Sequence, residues 1–228
     1  ANDPKSTKHQ IKPVSKTMSV DCRGLVIGHV TNFSEAEGVS DESRLACHHA
    51  LNVFRDIGVE VKEIQLPSLW DYTVANTTIM TSEAFAIHNS RFRDHLDEIS
   101  YLTRHRIALG AFISAADYIK AQKARRVLTY TTFDLMRENR VDLLCYPGMV
   151  SDPPPIDQMS PFYYLNAPLI TAPANLTGAP AAAIRAGFSD ANMPMSFQLT
   201  GHMFADSKVL SAAHAYEQAT PEYSRIVE

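Results

Sequence analysis

Apolar positions along the chain fall into short continuous runs and longer runs of helical period. Residues 24–30 (GLVIGHV) form a short apolar run ended by Thr31 and Asn32, which predicts a buried strand. Cys47, Ala50, Leu51, Phe54 and Ile57 then recur at i, i+3, i+4, i+7 and i+10, one face of a helix over 41–57. Ser40 or Asp41 can cap it through a side-chain oxygen, and Gly58 supplies the left-handed stop. Residues 59–64 (VEVKEI) alternate and predict a strand that Pro67 closes. Strand, helix, strand in this order predicts a βαβ unit with parallel pairing. No G-x-G-x-x-G follows the first strand, so the unit lacks a dinucleotide fingerprint.

Residues 70–137 are mostly helical in pattern. A helix over 76–89 places Ile79, Met80, Ala84 and Ile87 on one face, and 91–101 is charged and expected at the surface. Ser114 and Asp117 make an S-x-x-D start for a helix lined by Ala121, Ala124, Leu128 and Leu135 and ended by Asn139. A strand over 141–146 follows. The stretch 142–201 has the densest turn chemistry, with strand-like runs at 143–146, 181–186 and 195–199 around a proline-rich crossing. Asp206 is expected to cap a last helix with Val209, Leu210, Ala213 and Tyr216 inward, closed by Pro221. Residues 1–20 have no periodicity and read as an extended linker to a domain over 21–228. The whole predicts an α/β fold, a mixed and mostly parallel sheet flanked by helices.

The chain has 228 residues, 45% of them hydrophobic and 20% charged, an ordinary globular composition that needs neither disulfide nor metal to fold. A net charge of −4 leaves no basic footprint for nucleic acid, and Arg104–Arg106 and 123–126 read as solvated helix faces. No apolar run approaches a membrane span, and the first sixteen residues carry no apolar core of a secretory signal. Three cysteines without a C-x-x-C predict a reducing, cytoplasmic setting. The start at Ala rather than Met predicts a processed or partial chain.

Candidate chemistry is sparse. The chain has no G-x-S-x-G, S-x-x-K or H-E-x-x-H. Cys145, near the end of a strand, reads as a buried core thiol, with a nucleophile as the alternative. Cys47, His48 and His49 are adjacent on a helix, where side chains point about 100° apart and cannot converge on one ion. His88 and His95 have no carboxylate at ligand spacing. Asp142, Asp152 and Asp157 form no acid–base pair. Asn175, in PANLTGAP, is expected to staple a loop or to wall a polar pocket, and Gln198 invites the same two readings.

Several of these segments together resemble the amidase signature family. DLLCYPG (142–148) is similar to that family's Asp-led strand end, with Gly148 where Thr is usual. TAPANLTGAPAAAIRAG (171–187) resembles its T-x-P-x-N-x-x-G-x-P-A stretch, and 193–218 its terminal strand and helix, with Ser196 replacing a usual Gly. RGLVIGHV, ALNVFRDIGVEVKEIQLP and RHRIALGAFISAADYIKAQKARR match upstream pieces in the same order, so the likeness runs from about residue 22 to 219. The resemblance implies an amide hydrolase working through a lysine, a cis-serine and a nucleophilic serine, without a cofactor. The family's glycine- and serine-rich loop and its lysine lie outside the matching half, so no catalytic residue is expected in this chain. Arg106 matches an arginine that holds a substrate carboxylate in the relatives that use glutamine. Pro168 stands where those relatives have an aspartate. Tyr163, Tyr164 and Thr171 are expected on the pocket wall. The resemblance therefore implies the C-terminal part of an amidase for linear amides. Its partners would be an N-terminal half and a small amide, not nucleic acid or a membrane. A non-catalytic subunit or binding module made from such a half is the alternative.

Overall fold

The structure, a computed structural model, describes Val14 and residues 18–162, 165 and 167–221. Most of the expected linker, and Tyr163 and Tyr164, lie outside the described residues.

Strand β1 (Val26–Val30) leads through the short helix α1 (Thr31–Ser34) to α2 (Asp41–Asp56) and β2 (Glu60–Ile64). Ser40 caps α2 by accepting from the Ser43 N–H, and Gly58 takes φ +86° just beyond its end. The predicted face is the buried one. Leu51 and Phe54 are fully enclosed, a contribution of about 1.5–3 kcal/mol each. β1 and β2 pair in parallel, as the βαβ pattern predicts.

Helix α3 (Leu69–Asp94) is longer than its predicted core and starts at a Ser68 cap. Leu69, Tyr72, Ala75 and Ile79 are buried, whereas Met80 and Ile87 are exposed. The half of α3 beyond Thr81 buries no residue fully, because only the first half lies over the sheet. Helix α4 (Tyr101–Ala108) follows, then α5 (Ala115–Glu138), which starts at Ser114 with the Asp117 N–H donating to its hydroxyl. Strand β3 (Leu143–Pro147) leads to α6 (Ala172–Thr177), β4 (Ala181–Phe188), β5 (Pro194–Gly201) and α7 (Asp206–Ala219). Asp206 does not cap α7. It sits in the first turn, and Ala205 at the cap position makes no side-chain bond. Leu210 is exposed and Ala212 takes its place in the core, since the buried stripe runs Val209, Ala212, Ala213, Tyr216.

The five strands lie in the order β2-β1-β3-β5-β4. β1 is parallel to β2 and β3, and β5 is antiparallel to β3 and β4. The sheet is thus evenly mixed rather than mostly parallel, because a tight turn and not a helix joins β4 to β5. In that turn the Ser189 N–H donates to the Met193 carbonyl, and Asn192 takes φ 60°. Helices α2 and α7 cover one face of the sheet, and α3, α5 and α6 cover part of the other. Asp142 ties the layers at the strand ends. Its carboxylate accepts from the Val26 N–H at 3.0 Å and from Lys208 Nζ at 2.6 Å. Burial opposes its ionisation, but these donors win and hold its pKa below the ordinary carboxylate value. Among the described residues no helix is long and apolar enough to cross a membrane.

A buried histidine makes the stability depend on pH on the acid side. His29, in the middle of β1, is 5% exposed; its Nε2 lies 2.9 Å from Ser34 Oγ and its ring meets His48 edge-on. Burial, and next the neighbouring His48, bring its pKa down from 6.5 to about 4. The folded state therefore holds His29 neutral while the unfolded state binds a proton below about 6.5. Its contribution is complete above that pH and shrinks as pH falls towards 4, by up to about 3 kcal/mol in all. Urea unfolding of the wild type and His29→Gln between pH 7.5 and 4.5 checks this, as the variant loses less stability across that window.

Candidate functional site

Two structures frame the uncovered end of the sheet. The first is a polar strip on the face opposite α2 and α7. Gln198 of β5 pairs in register with Tyr146 of β3 and with Ala183 of β4. Its Nε2 donates to the Tyr146 hydroxyl at 2.6 Å, and that hydroxyl lies 2.9 Å from Thr200 Oγ1. Burial pushes the Tyr146 phenol up to about 12, so it stays protonated and the strip is polar without charge. Gln198 therefore ties two strands together rather than a loop. Ser196 borders the strip, and its carbonyl accepts from the Gly148 N–H at 2.8 Å. A Cβ at Gly148 would come within 2.5 Å of Ser196 Oγ, so a side chain there would force Ser196 to shift.

The second is a helical wall. The segment read as a loop around Asn175 is the helix α6. Pro173 sits in its first turn, where a missing N–H costs nothing, and Gly178 ends it at φ +75°. Asn175 is exposed, and its Nδ2 donates to the Thr171 carbonyl one turn back at 3.1 Å, so it braces its own helix and no loop. Thr171 stands exposed at the cap position of α6, with no side-chain cap bond. Arg125 of α5 donates from Nε to the Leu176 carbonyl at 2.8 Å, satisfying a group the helix end leaves open.

Arg106 of α4 holds the proline-rich crossing. Its Nε donates to the Pro161 carbonyl at 3.0 Å, and Nη2 lies 3.9 Å from Met159 Sδ. The Leu169 N–H donates to Thr73 Oγ1 at 2.9 Å, which moors the far end of the same crossing to α3. Gly110 lets the turn after α4 press on α3, where any Cβ would collide with the Thr81 carbonyl. The exposed half of α3 thereby separates two clefts. One, about 410 Å³, is lined by Glu83, His88, Arg125 and Asn175 over apolar Ile79 and Met80. The other, about 260 Å³, is lined by Thr103, Arg106 and Ile107. Met80 and Ala84 belong to both. The structure thus brings Arg106 and Asn175 to adjacent clefts across α3 and places Gln198 on the sheet. Glu83, His88 and Arg125 carry no signal in the sequence, since a solvated helix face and a cleft wall have the same pattern.

No thiol is poised to react. Cys47 and Cys145 are fully buried with their sulfurs 4.0 Å apart, and burial, then the Cys47 neighbour, drives the Cys145 thiol well above its ordinary pKa. His48 and His49 are exposed beside buried Cys47. Among the described residues no three His, Cys, Asp or Glu side chains gather at a metal-binding distance. Lys62, Lys120 and Lys208 each pair with a carboxylate.

Comparison with known proteins agrees with this architecture. The chain is 30% identical over 247 residues to a glutamyl-tRNA(Gln) amidotransferase subunit of Listeria monocytogenes serovar 1/2a, covering 96% of the chain and 50% of that protein. It is 27% identical over 249 residues to a Synechococcus protein of the same name, covering 98% of the chain and 48% of that protein. The chain thus spans about half the length of the curated relatives it matches. Among solved structures, the glutamyl-tRNA(Gln) amidotransferase subunit from Thermotoga maritima superposes with a TM-score of 0.72 at 25% identity, over 95% of this chain and 47% of that one. A chain of a vestigial complex bearing on the origins of an s-triazine catabolic enzyme superposes with a TM-score of 0.80 at 24% identity, over 96% of this chain and 48% of that one. The family profile described as Amidase matches residues 1–210, and the chain belongs to that family.

Proposed function

We propose that this chain is the C-terminal part of an amide-bond hydrolase. In this reading it shapes the pocket for a small linear amide, while the serine, cis-serine and lysine lie in an N-terminal part outside residues 1–228. One observation carries the reading: a family match over residues 1–210 in a chain half the length of its relatives, with no glycine- and serine-rich loop in its sequence. The polar, uncharged strip of Tyr146, Gln198 and Thr200 then serves as a rigid floor. Arg106 and Thr73 hold the proline-rich crossing as a wall, and Thr171 and Asn175 stand at its rim.

The substrate is a neutral amide other than free glutamine. Pro168 offers no charge to an amino group, and the Arg106 guanidinium is already engaged by Pro161 and Met159. Arg106 is a positioning residue here. The three free, buried thiols suit a reducing cytoplasmic setting.

Purified residues 1–228 are expected to hydrolyse no aryl or aliphatic amide above background, with turnover appearing once the N-terminal part is present. Robust turnover by the 228-residue chain alone would sink the reading. Intact-mass analysis of the native protein that finds this length and no second polypeptide would instead support a binding module. In the complete enzyme, Arg106→Ala is expected to lower kcat/KM by on the order of 10-fold by loosening the wall. Because Arg106 sits at the periphery, the same variant should leave the thermal midpoint within a few degrees. An unchanged kcat/KM would remove Arg106 from the site.

A further inference from the structure

Cys47 and Cys145 come from segments 98 residues apart and meet in the layer between α2 and the sheet. Both are fully buried, and their sulfurs lie 4.0 Å apart. Cys145 sits in the middle of β3, paired with His29 of β1 and Leu199 of β5. Cys47 faces it from α2, where Ala46 and Ala50 lie on the same buried stripe. These small side chains let the helix rest close to the strand. Among the described residues the pair has no hydrogen-bonding partner beyond each other. Cys22, the third thiol, instead donates to the Ser211 carbonyl at 3.8 Å.

A disulfide holds its sulfurs about 2 Å apart, so this pair closes by an approach of about 2 Å. That is a movement of side chains and of one helix, not of the fold.

We propose that Cys47 and Cys145 form an oxidation site at which hydrogen peroxide writes one intramolecular disulfide, stapling α2 to β3. One thiolate takes an oxygen from the peroxide and becomes a sulfenic acid, releasing hydroxide. The second thiolate displaces hydroxide from that sulfur and closes the bridge. The two thiol protons neutralise both hydroxides, so two thiols and one peroxide give one disulfide and two waters. In the closed fold, burial keeps the Cys145 thiol protonated and excludes the oxidant. The reaction therefore waits on a local opening of α2, and Cys47, on the element that lifts, is oxidised first. Redocking of α2 returns that sulfur to contact with Cys145, ahead of Cys22 or a second molecule. The same burial then shields the finished bridge from thiol reductants, so it outlasts the oxidant.

The test treats the native, complete protein with hydrogen peroxide, with and without urea below the unfolding transition. Mass spectrometry without reduction follows the product. Each chain is expected to lose two hydrogens, and its free thiols to fall from three to one. Peptide mapping should join the Cys47 peptide to the Cys145 peptide, faster in urea because opening limits the rate. The oxidised protein should melt on the order of 10 °C above the reduced one, a shift that dithiothreitol in urea reverses. A bridge through Cys22, a bridge between two molecules, or sulfinic acid at Cys47 in place of a bridge would overturn the proposal. So would three intact thiols in urea where hydrogen exchange shows α2 opening, or an unchanged or lower melting point after bridging. Cys22→Ala should bridge as the wild type does, whereas Cys145→Ala should stop at a sulfenic acid on Cys47 that dimedone traps. The wild-type peptide map decides the matter even where a variant fails to fold.

Discussion

Leu143 and Cys145 of β3 point into the layer built by α2 and α7, while Leu144 and Tyr146 point into the layer built by α3, α5 and α6. β3 is buried along its whole length, with a parallel neighbour on one side and an antiparallel one on the other. A slip of one residue would exchange both faces at once, so its register is firmly specified. The one polar group it buries, the Tyr146 hydroxyl, must find partners or cost about 1–3 kcal/mol. Gln198 and Thr200 supply them from β5. Placing β5 in this way also fixes β4, which among the described residues pairs with β5 and no other strand. The polar strip and the position of β4 thus follow from how β3 is satisfied.

What is legible in the sequence is local. Helix α2 carries its cap, its apolar face and its stop within 41–58, and each acts without reference to the rest of the chain. α5 is announced in the same way by Ser114 and Asp117. Pattern and structure part where position in the fold overrides periodicity. Met80 and Ile87 have the right spacing for a core face, yet that half of α3 overhangs the sheet and they stay in solvent. The prolines around Asn175 suggest a loop, although a first-turn proline is compatible with a helix. Asp206 follows the usual capping chemistry but lies one position too far along.

The candidate site is legible only in part, for the same reason. Gln198 stands out as a polar residue among apolar neighbours, but its partner Tyr146 is 52 residues away and is set by strand register, which no local pattern encodes. Arg106 is marked by family resemblance, and its periodicity is that of any exposed helix residue. Its bond to Pro161 spans 55 residues and depends on Gly110 letting α4 settle against α3. Long-range contacts of this kind are invisible to spacing rules that act within a dozen residues.

The electrostatics of the floor bear on what it can bind. Tyr146 is fully buried with its phenol held up to about 12, and Gln198 and Thr200 are neutral, so the strip offers dipoles and no net charge. Gln198 and Thr200 are buried with it and spend hydrogen bonds on the Tyr146 hydroxyl, so the strip is an uncharged brace between β3 and β5. The rigidity of β3 and the openness of β4 are complementary. β3 is enclosed along its whole length, whereas among the described residues the outer side of β4 is unpaired.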